Sequence, residues 1–128
     1  MPNFLEFWII DRNGITLYHN KKDKVEGINK NLFSGFVSAF VDIINVSSNE
    51  NVESIKFKDS KLVMIPTHVH EKLLFIARTK QKAKDKNVRK ELTKLSETFH
   101  EEFGEELASW VGEMDAFDAF GKHLVPYW

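Results

Sequence analysis

The chain has 128 residues, 42% of them hydrophobic and 29% charged, which is enough for one domain with a substantial core but too short for two. A formal net charge of -1 at pH 7 excludes a protein whose overall charge would demand an oppositely charged polymer as partner. The chain contains no cysteine, which excludes disulfides, thiolate metal ligands and a cysteine nucleophile. We therefore expect a single domain spanning residues 1–128.

The N-terminal sequence MPNFLEFWIID has neither the basic start nor the small-residue cleavage site of a signal peptide. No apolar run approaches the length that is needed to span a bilayer. We expect a cytoplasmic location.

The first predicted strand covers residues 4–11 and is apolar on both alternating faces, which is typical of a central strand in a sheet that is covered on both sides. The expected faces are two sets of three: Phe4, Trp8 and Ile10 on one side, and Leu5, Phe7 and Ile9 on the other. Asn13-Gly14 then predicts a tight hairpin turn, because both residues tolerate positive φ. The second strand is predicted at residues 15–19.

A polar loop over residues 20–30 leads into a predicted helix at 31–45, which Asn29 or Asn31 can cap. Strands are predicted at 52–58, with Ile55 and Phe57 facing inward, at 61–65, where Pro66 ends the strand, and at 73–78.

The apolar period changes from two to between three and four after residue 85, which predicts one long amphipathic helix. Its expected seam is Val88, Leu92, Leu95, Phe99, Phe103 and Leu107. The helix breaks at 110–112, and a last helix that starts at Asp115 buries Phe117, Phe120 and Leu124. The predicted fold is α+β, with element order β-β-α-β-β-β-α-α: a five-stranded antiparallel sheet with one helix on one face and two on the other.

The helix at 31–45, NLFSGFVSAFVDIIN, has more apolar surface than one core-facing stripe requires. Two adjacent lines of apolar side chains run along it: Phe33, Val37, Phe40 and Ile44, and beside them Leu32, Phe36, Ala39 and Ile43. The remaining strip is small or polar and contains Ser34, Gly35 and Ser38. This pattern predicts either a helix covered entirely by its own domain or a helix shared with a partner.

Several segments together resemble a longin-type domain of the longin and roadblock group, close to the short free-standing archaeal type. They are IIDRNGITLYH, the helix LFSGFVSAFVDIIN, the strand pair VESIKFKDSKLVMIP, LLFIARTK with the following helix, and WVGEMDAFDAF. The resemblance implies a platform for protein-protein interaction that is not an enzyme and needs no cofactor. Implied partners are a second copy, another longin or roadblock domain, or a small GTPase in processes like vesicle trafficking, with a peripheral membrane surface as a further option and nucleic acid not expected.

In related domains that pair, the first helix and the adjacent edge strand meet their counterparts. The resemblance maps that interface onto helix 31–45 and strand 52–58. The candidate interface residues are Leu32, Phe33, Gly35, Phe36, Ala39, Phe40, Ile43, Ser54 and Lys56. On an edge strand, however, lysines such as Lys56 and Lys58 can also guard against pairing.

The segment 78–90, RTKQKAKDKNVRK, carries seven basic residues and one acidic residue. It is either a solvated loop and helix start or a site for anions, such as an anionic membrane surface, nucleic acid or an acidic partner. The candidate anion-binding or partner-binding residues are Lys80, Lys82, Lys84, Lys86 and Arg89. No aromatic side chains are interleaved with these bases, as single-strand binding would require.

No convincing catalytic or metal site emerges from the sequence. His68 and His70 beside Glu71 fall short of the roughly four ligands of a structural zinc site. Ser96 and His100 share a helix face without an acid placed to orient the base. Glycine-rich nucleotide-binding motifs are absent, so we expect neither a resident metal nor a bound nucleotide.

Overall fold

The computed structural model describes residues 3–45, 54–67, 72–113 and 115–128. The fold is α+β with a five-stranded antiparallel sheet, as the sequence predicts for the general class. The strands are β1 (Phe4–Asp11), β2 (Thr16–Lys21), β3 (Ser54–Lys56), β4 (Ser60–Thr67) and β5 (Leu73–Lys80). The helices are α1 (Lys30–Asn45) and α2 (Asp85–Ser109), followed by two short 3-10 helices at Asp118–His123 and Val125–Tyr127.

The strand order is β2-β1-β5-β4-β3, so β2 and β3 form the two edges and β5 lies at the centre. β1 pairs with β2 and with β5, so it is an interior strand, and core clusters on both faces of the sheet bury most of its side chains. The helix that connects β2 to β3 therefore joins the two opposite edges of the sheet.

Two separate core clusters form on the sheet. One contains Phe7 and Ile9 of β1 with the predicted α2 seam, all six residues of which are buried. The other contains Trp8 and Ile10 of β1 with the buried α1 residues Phe40, Ile43 and Ile44. Neighbouring side chains along a strand point to opposite faces, so these two clusters lie on opposite sides of the sheet.

Phe4 joins the α2-side cluster with Phe7, so its predicted placement with Trp8 and Ile10 is wrong. The pairing of β1 with β5 shifts register between Phe4 and Glu6. Such an irregularity inserts one residue and reverses the alternation of faces before it.

The β1-β2 connection is longer than the predicted two-residue turn. Gly14 has φ of +84°, whereas Asn13 is not among the residues with positive φ, so a mirror-image Asn-Gly turn does not form. Instead the Asp11 carboxylate accepts hydrogen bonds from the backbone N–H groups of Asn13 and Ile15, both at 2.9 Å. An added Cβ at Gly14 would lie 2.5 Å from Val37, which shows how closely this turn packs on α1.

The prediction that Pro66 ends its strand is wrong, because β4 pairs with β5 through Pro66 and on to Thr67. In the described residues, β3 reaches only as far as Val63 on the other side of β4. Among the described residues, Pro66 therefore has a strand partner on one side only, and a missing N–H is tolerated at such a position.

The C-terminal segment buries Phe117, Phe120 and Leu124, as predicted, but it is not an α-helix. Backbone hydrogen bonds run from Phe120 to Phe117 and from Leu124 to Gly121, three residues apart. The tighter 3-10 turn brings residues three apart onto one side, which suits the spacing of the two phenylalanines. Within the described residues, none of the helices has both the length and the apolar character to cross a membrane.

Candidate functional site

Helix α1 is positioned at its start by an asparagine cap. The side-chain oxygen of Asn29 accepts hydrogen bonds from the N–H groups of Asn31 at 2.8 Å and Leu32 at 3.1 Å. These groups would otherwise have no acceptor within the helix. At the other end, the Asn45 amide donates to the carbonyl of Arg12 in the β1-β2 turn at 3.1 Å. The helix is thus tethered to the sheet at both ends.

The side of α1 that faces the sheet belongs to the core. Phe40 is fully buried, Ile44 is 1% exposed and Ile43 is 8% exposed. We therefore assign Phe40 and Ile43 to the core of this chain and not to a surface for a partner. They recur at steps of three and four residues, which aligns them on the side that faces the sheet.

The outer side of α1 presents apolar and small residues to solvent. Leu32 is 44% exposed, and Gly35 and Ala39 are also exposed. Ser34 and Ser38 flank them and are exposed too. A Cβ built on Gly35 would meet nothing within 4 Å, so the backbone of this strip is open to close approach.

Two aromatic side chains connect the outer side of α1 with the sheet below, and both are partly buried. Phe33 stacks on Trp8 with ring centroids 4.7 Å apart, and Trp8 in turn stacks on His19 at 5.2 Å. Phe36 packs against Phe57, which follows β3, at 5.9 Å. These contacts give Phe33 and Phe36 fixed positions while leaving part of each ring accessible.

The edge strand β3 extends the same face, since Ile55 and Phe57 pack against the α1-side cluster. Ser54, which precedes Ile55, points to the other side, where its hydroxyl hydrogen-bonds Asp85 at the start of α2. By alternation, Lys56 shares the side of Ser54 and is exposed. These two predicted interface residues can therefore contribute edge backbone beside α1, whereas their side chains project from the opposite face.

A buried ion pair holds the loop that leads into α1. The Glu6 side chain is 2% exposed and accepts hydrogen bonds from Arg78 at 3.0 Å and from the Ile28 N–H at 2.8 Å, with His19 at 2.7 Å. Arg78 also donates to the carbonyl of Glu26 at 2.7 Å. Burial alone would raise the pKa of Glu6, but these hydrogen bonds outweigh it and lower that pKa below its usual 4.5. A groove of about 390 Å³ between this network and α1 is lined by Trp8, His19 and Phe33 among others.

The basic segment divides into two groups in the structure. Lys80, Lys82 and Lys84 come together with Lys90 around a concave pocket of about 520 Å³. The other two predicted anion-binding residues, Lys86 and Arg89, do not line this pocket. Arg89 instead lies near enough to Asp85 to help lower the pKa of that carboxyl group, after the main effect of Lys61.

Lys61 and Glu6 are structurally important residues that the sequence interpretation missed. Lys61 is only 4% exposed, and its ammonium group donates to the Ala83 carbonyl and to the Asp85 carboxylate. In each case the sequence offered one signal: a charged residue in a strand whose neighbouring residues are mostly apolar, which indicates a buried charge that needs a partner.

The structure describes only some of the residues that were weighed for metal binding and catalysis. His68, His70 and Glu71 lie outside the described residues. Among the residues that are described, no group of three or more His, Asp or Glu side chains could hold a metal ion. The Ser96 hydroxyl donates to the Thr93 carbonyl at 2.7 Å within its own helix, and the His100 ring contacts the Thr67 hydroxyl at 3.2 Å.

A scan against protein-family models finds no family that matches this chain, and a search of curated proteins finds no significant match.

Proposed function

We propose that this protein is a longin-type interaction platform that is not an enzyme and that pairs through the outer side of α1 and the edge of β3. The proposal includes the longin arrangement of helices and a role with a small GTPase in a process like membrane traffic. The single observation that carries it is the exposed strip of Leu32, Gly35 and Ala39 on a helix beside β3, which is an edge strand of the sheet in the described part of the chain.

The strip offers buried area to a partner. Fully burying a leucine or phenylalanine side chain stabilises a complex by roughly 1.5 to 3 kcal/mol, and the half-exposed side chains of α1 offer a fraction of that. In a two-fold symmetric dimer each contribution occurs twice, and association must still overcome the loss of translational and rotational freedom. Leu32, Phe33 and Phe36 from each chain supply most of this area, while Gly35 and Ser38 let two helices approach closely.

The edge of β3 supports the same surface. Its outer backbone groups face away from β4, and no described strand pairs with them, so we propose that they pair with a strand of the partner. Pairing two such edges would continue the sheet across the interface while the two α1 helices pack on one side of it. The exposed Lys56 projects from the other side and so does not obstruct the contact between helices.

Light scattering coupled to size exclusion tests the pairing. We expect the unaltered chain to have the mass of a dimer and the Leu32→Asp variant to be a folded monomer, because a carboxylate at the centre of an apolar contact is costly to desolvate. Val125→Asp is the matched control, since Val125 is 67% exposed and lies on the C-terminal 3-10 helix. An unaltered chain that is monomeric at high concentration contradicts self-pairing.

The GTPase role is tested separately with purified small GTPases loaded with GDP or with a non-hydrolysable GTP analogue. We expect saturable binding that depends on the nucleotide and that requires the paired form of the platform. Equal binding by the Leu32→Asp variant would separate GTPase binding from pairing, and no binding in either nucleotide state would remove the GTPase from the proposal.

A further inference from the structure

The pocket between the end of β5 and the start of α2 concentrates positive charge. Four lysines line it together with two asparagines: Lys80, Lys82, Lys84 and Lys90, with Asn3 and Asn87. No ammonium group of these four lysines has an ion pair or hydrogen bond within the described part of the chain. The pocket is therefore a cluster of uncompensated cations.

The acidic residues nearby are already engaged. The Asp85 carboxylate binds the buried Lys61. Glu91 lines the pocket, but it pairs with Lys94 at 3.5 Å and hydrogen-bonds Tyr127, whose pKa is raised by burial and by this contact. Neither carboxylate neutralises the four lysines directly, so an anion that enters the pocket meets a net positive field.

The loop that carries Lys82 and Lys84 is held in place from both sides. The ammonium group of Lys61 donates to the Ala83 carbonyl, and the amide of Gln81 donates to the Phe57 carbonyl and, at 2.9 Å, to the Lys58 carbonyl. Burying a lysine is costly unless its charge is paired, and here the pair fixes both the loop and the first residue of α2. A fixed loop loses little further freedom when a ligand binds.

We propose that this pocket binds a compact ligand that carries two or more phosphate groups. Lysine ammonium groups act as point charges that bind phosphate oxygens. Four of them around one cavity carry enough positive charge to bind more than one phosphate group. The volume of about 520 Å³ is that of a small-molecule site. No aromatic side chain is among its lining residues, so it lacks the stacking surface that single-stranded nucleic acid uses. The site involves none of the α1 interface residues and does not depend on pairing.

Two probes distinguish the sources of such a ligand. Isothermal titration with inorganic tripolyphosphate measures binding of a free polyphosphate. Co-sedimentation with phosphatidylcholine vesicles, with and without phosphatidylinositol bisphosphate, measures binding of a lipid headgroup. Binding to either probe supports the site and names its source.

Variants locate the binding within the molecule. We expect Lys82→Gln with Lys84→Gln to weaken binding by roughly tenfold or more, since each removes a charge-assisted contact. The double variant Lys24→Gln with Lys72→Gln removes the same charge from exposed positions elsewhere, and Lys86→Gln removes it from the same segment outside the pocket. Both controls should retain affinity to within about threefold.

Three results would overturn the proposal. The first is the absence of binding to both probes at low ionic strength. The second is an equal loss of affinity in the pocket variant and in either control, which would indicate general attraction to a basic surface. The third is binding of single-stranded RNA through Lys82 and Lys84 when neither phosphate probe binds.

Discussion

The two faces of the sheet differ in how much of the apolar surface of their helices is buried. Helix α2 has 25 residues and buries eight, all along one seam, while its other sides are mainly charged. Helix α1 has 16 residues and buries only Phe40, Ile43 and Ile44, although apolar residues continue around it. The apolar residues of α2 are therefore buried against the sheet, whereas part of the apolar surface of α1 is left uncovered by the described residues of the chain.

The C-terminal segment explains much of the difference. Phe117 and Phe120 pack against Phe99 and Phe103 of α2, with ring centroids between 5.2 and 6.2 Å apart. In the part of the chain that the structure describes, the additional cover on the α1 side comes from the loop before the helix and the β1-β2 turn. A closed core and an open helix thus coexist on one sheet, and substitutions can test that contrast.

The largest expected effect on the free energy of unfolding is at the centre of the core between the sheet and α2. Phe99→Ala should lower the free energy of unfolding by about 3 to 5 kcal/mol, because Phe99 is fully buried among four aromatic rings. Phe36→Ala on α1 should cost roughly 1 to 2 kcal/mol, since that ring is only partly buried. Urea unfolding of both variants measures the difference, and equal losses would remove the contrast between the two faces.

The buried carboxylate of Glu6 should give the next largest effect. Glu6→Gln should cost roughly 2 to 4 kcal/mol at neutral pH, because Arg78 then keeps its charge without an anionic partner. The folded state lowers the pKa of Glu6, so its contribution is present above the unfolded pKa and is lost as pH falls through the folded value. The stability difference between the unaltered chain and the variant should therefore shrink below about pH 4.5.

Glu26→Gln is the matched control for that experiment. Arg78 contacts the backbone carbonyl of Glu26 and not its exposed side chain, so this variant should lose no more than about 0.5 kcal/mol. A Glu6→Gln variant whose deficit is constant from pH 7 to pH 3 would show that the ionised form of Glu6 does not supply the stability.

A smaller effect is expected at the start of α1. Asn29→Ala should lower the free energy of unfolding by about 1 kcal/mol, because the N–H groups of Asn31 and Leu32 lose their acceptor. Asn31→Ala changes the same residue type two positions later and should be nearly neutral. Thermal unfolding of the pair measures the cap directly, and equal shifts in Tm would reject Asn29 as the capping residue.

The smallest effect on stability is expected at Leu32. Leu32→Ala should change the free energy of unfolding of the dilute chain by less than about 0.5 kcal/mol, because the side chain is already half exposed. A loss above about 2 kcal/mol under the same conditions would mean that Leu32 belongs to the core, and that the α1 side is as closed as the α2 side.

Much of the sheet and the α2 seam could be predicted from sequence because both depend on regular periodicity. The apolar residues from Val88 to Leu107 recur every three or four positions, and β1 is apolar apart from Glu6 and Asp11, so the local pattern decides the outcome. The face of Phe4 could not be predicted, because a register irregularity depends on the partner strand β5. The 3-10 geometry of the C-terminal segment was missed for a similar reason, since three-residue spacing fits both kinds of helix over so few turns.

The candidate sites were predictable only in outline. The apolar excess of α1 is visible in its sequence, but Phe40 and Ile43 belong to different predicted lines, and their burial depends on how the helix is rotated against the sheet. The basic segment is equally visible, yet the separation of Lys86 from the pocket depends on the rotation of α2. Glu6 and Arg78 are 72 positions apart, and no local pattern connects them.

A cysteine at Gly35 tests pairing through α1 most directly, because the chain has no other cysteine and an added Cβ there meets nothing within 4 Å. We expect Gly35→Cys to form a disulfide-linked dimer rapidly under mild oxidation. The small side chains of Ser34 and Ser38 beside this position let two helices approach closely, to the distance of roughly 6 Å between Cα atoms that a disulfide needs. Val125→Cys should link only slowly through random collisions. Equal and slow linking of both variants, at concentrations where the unaltered chain has the mass of a dimer, would contradict pairing through α1.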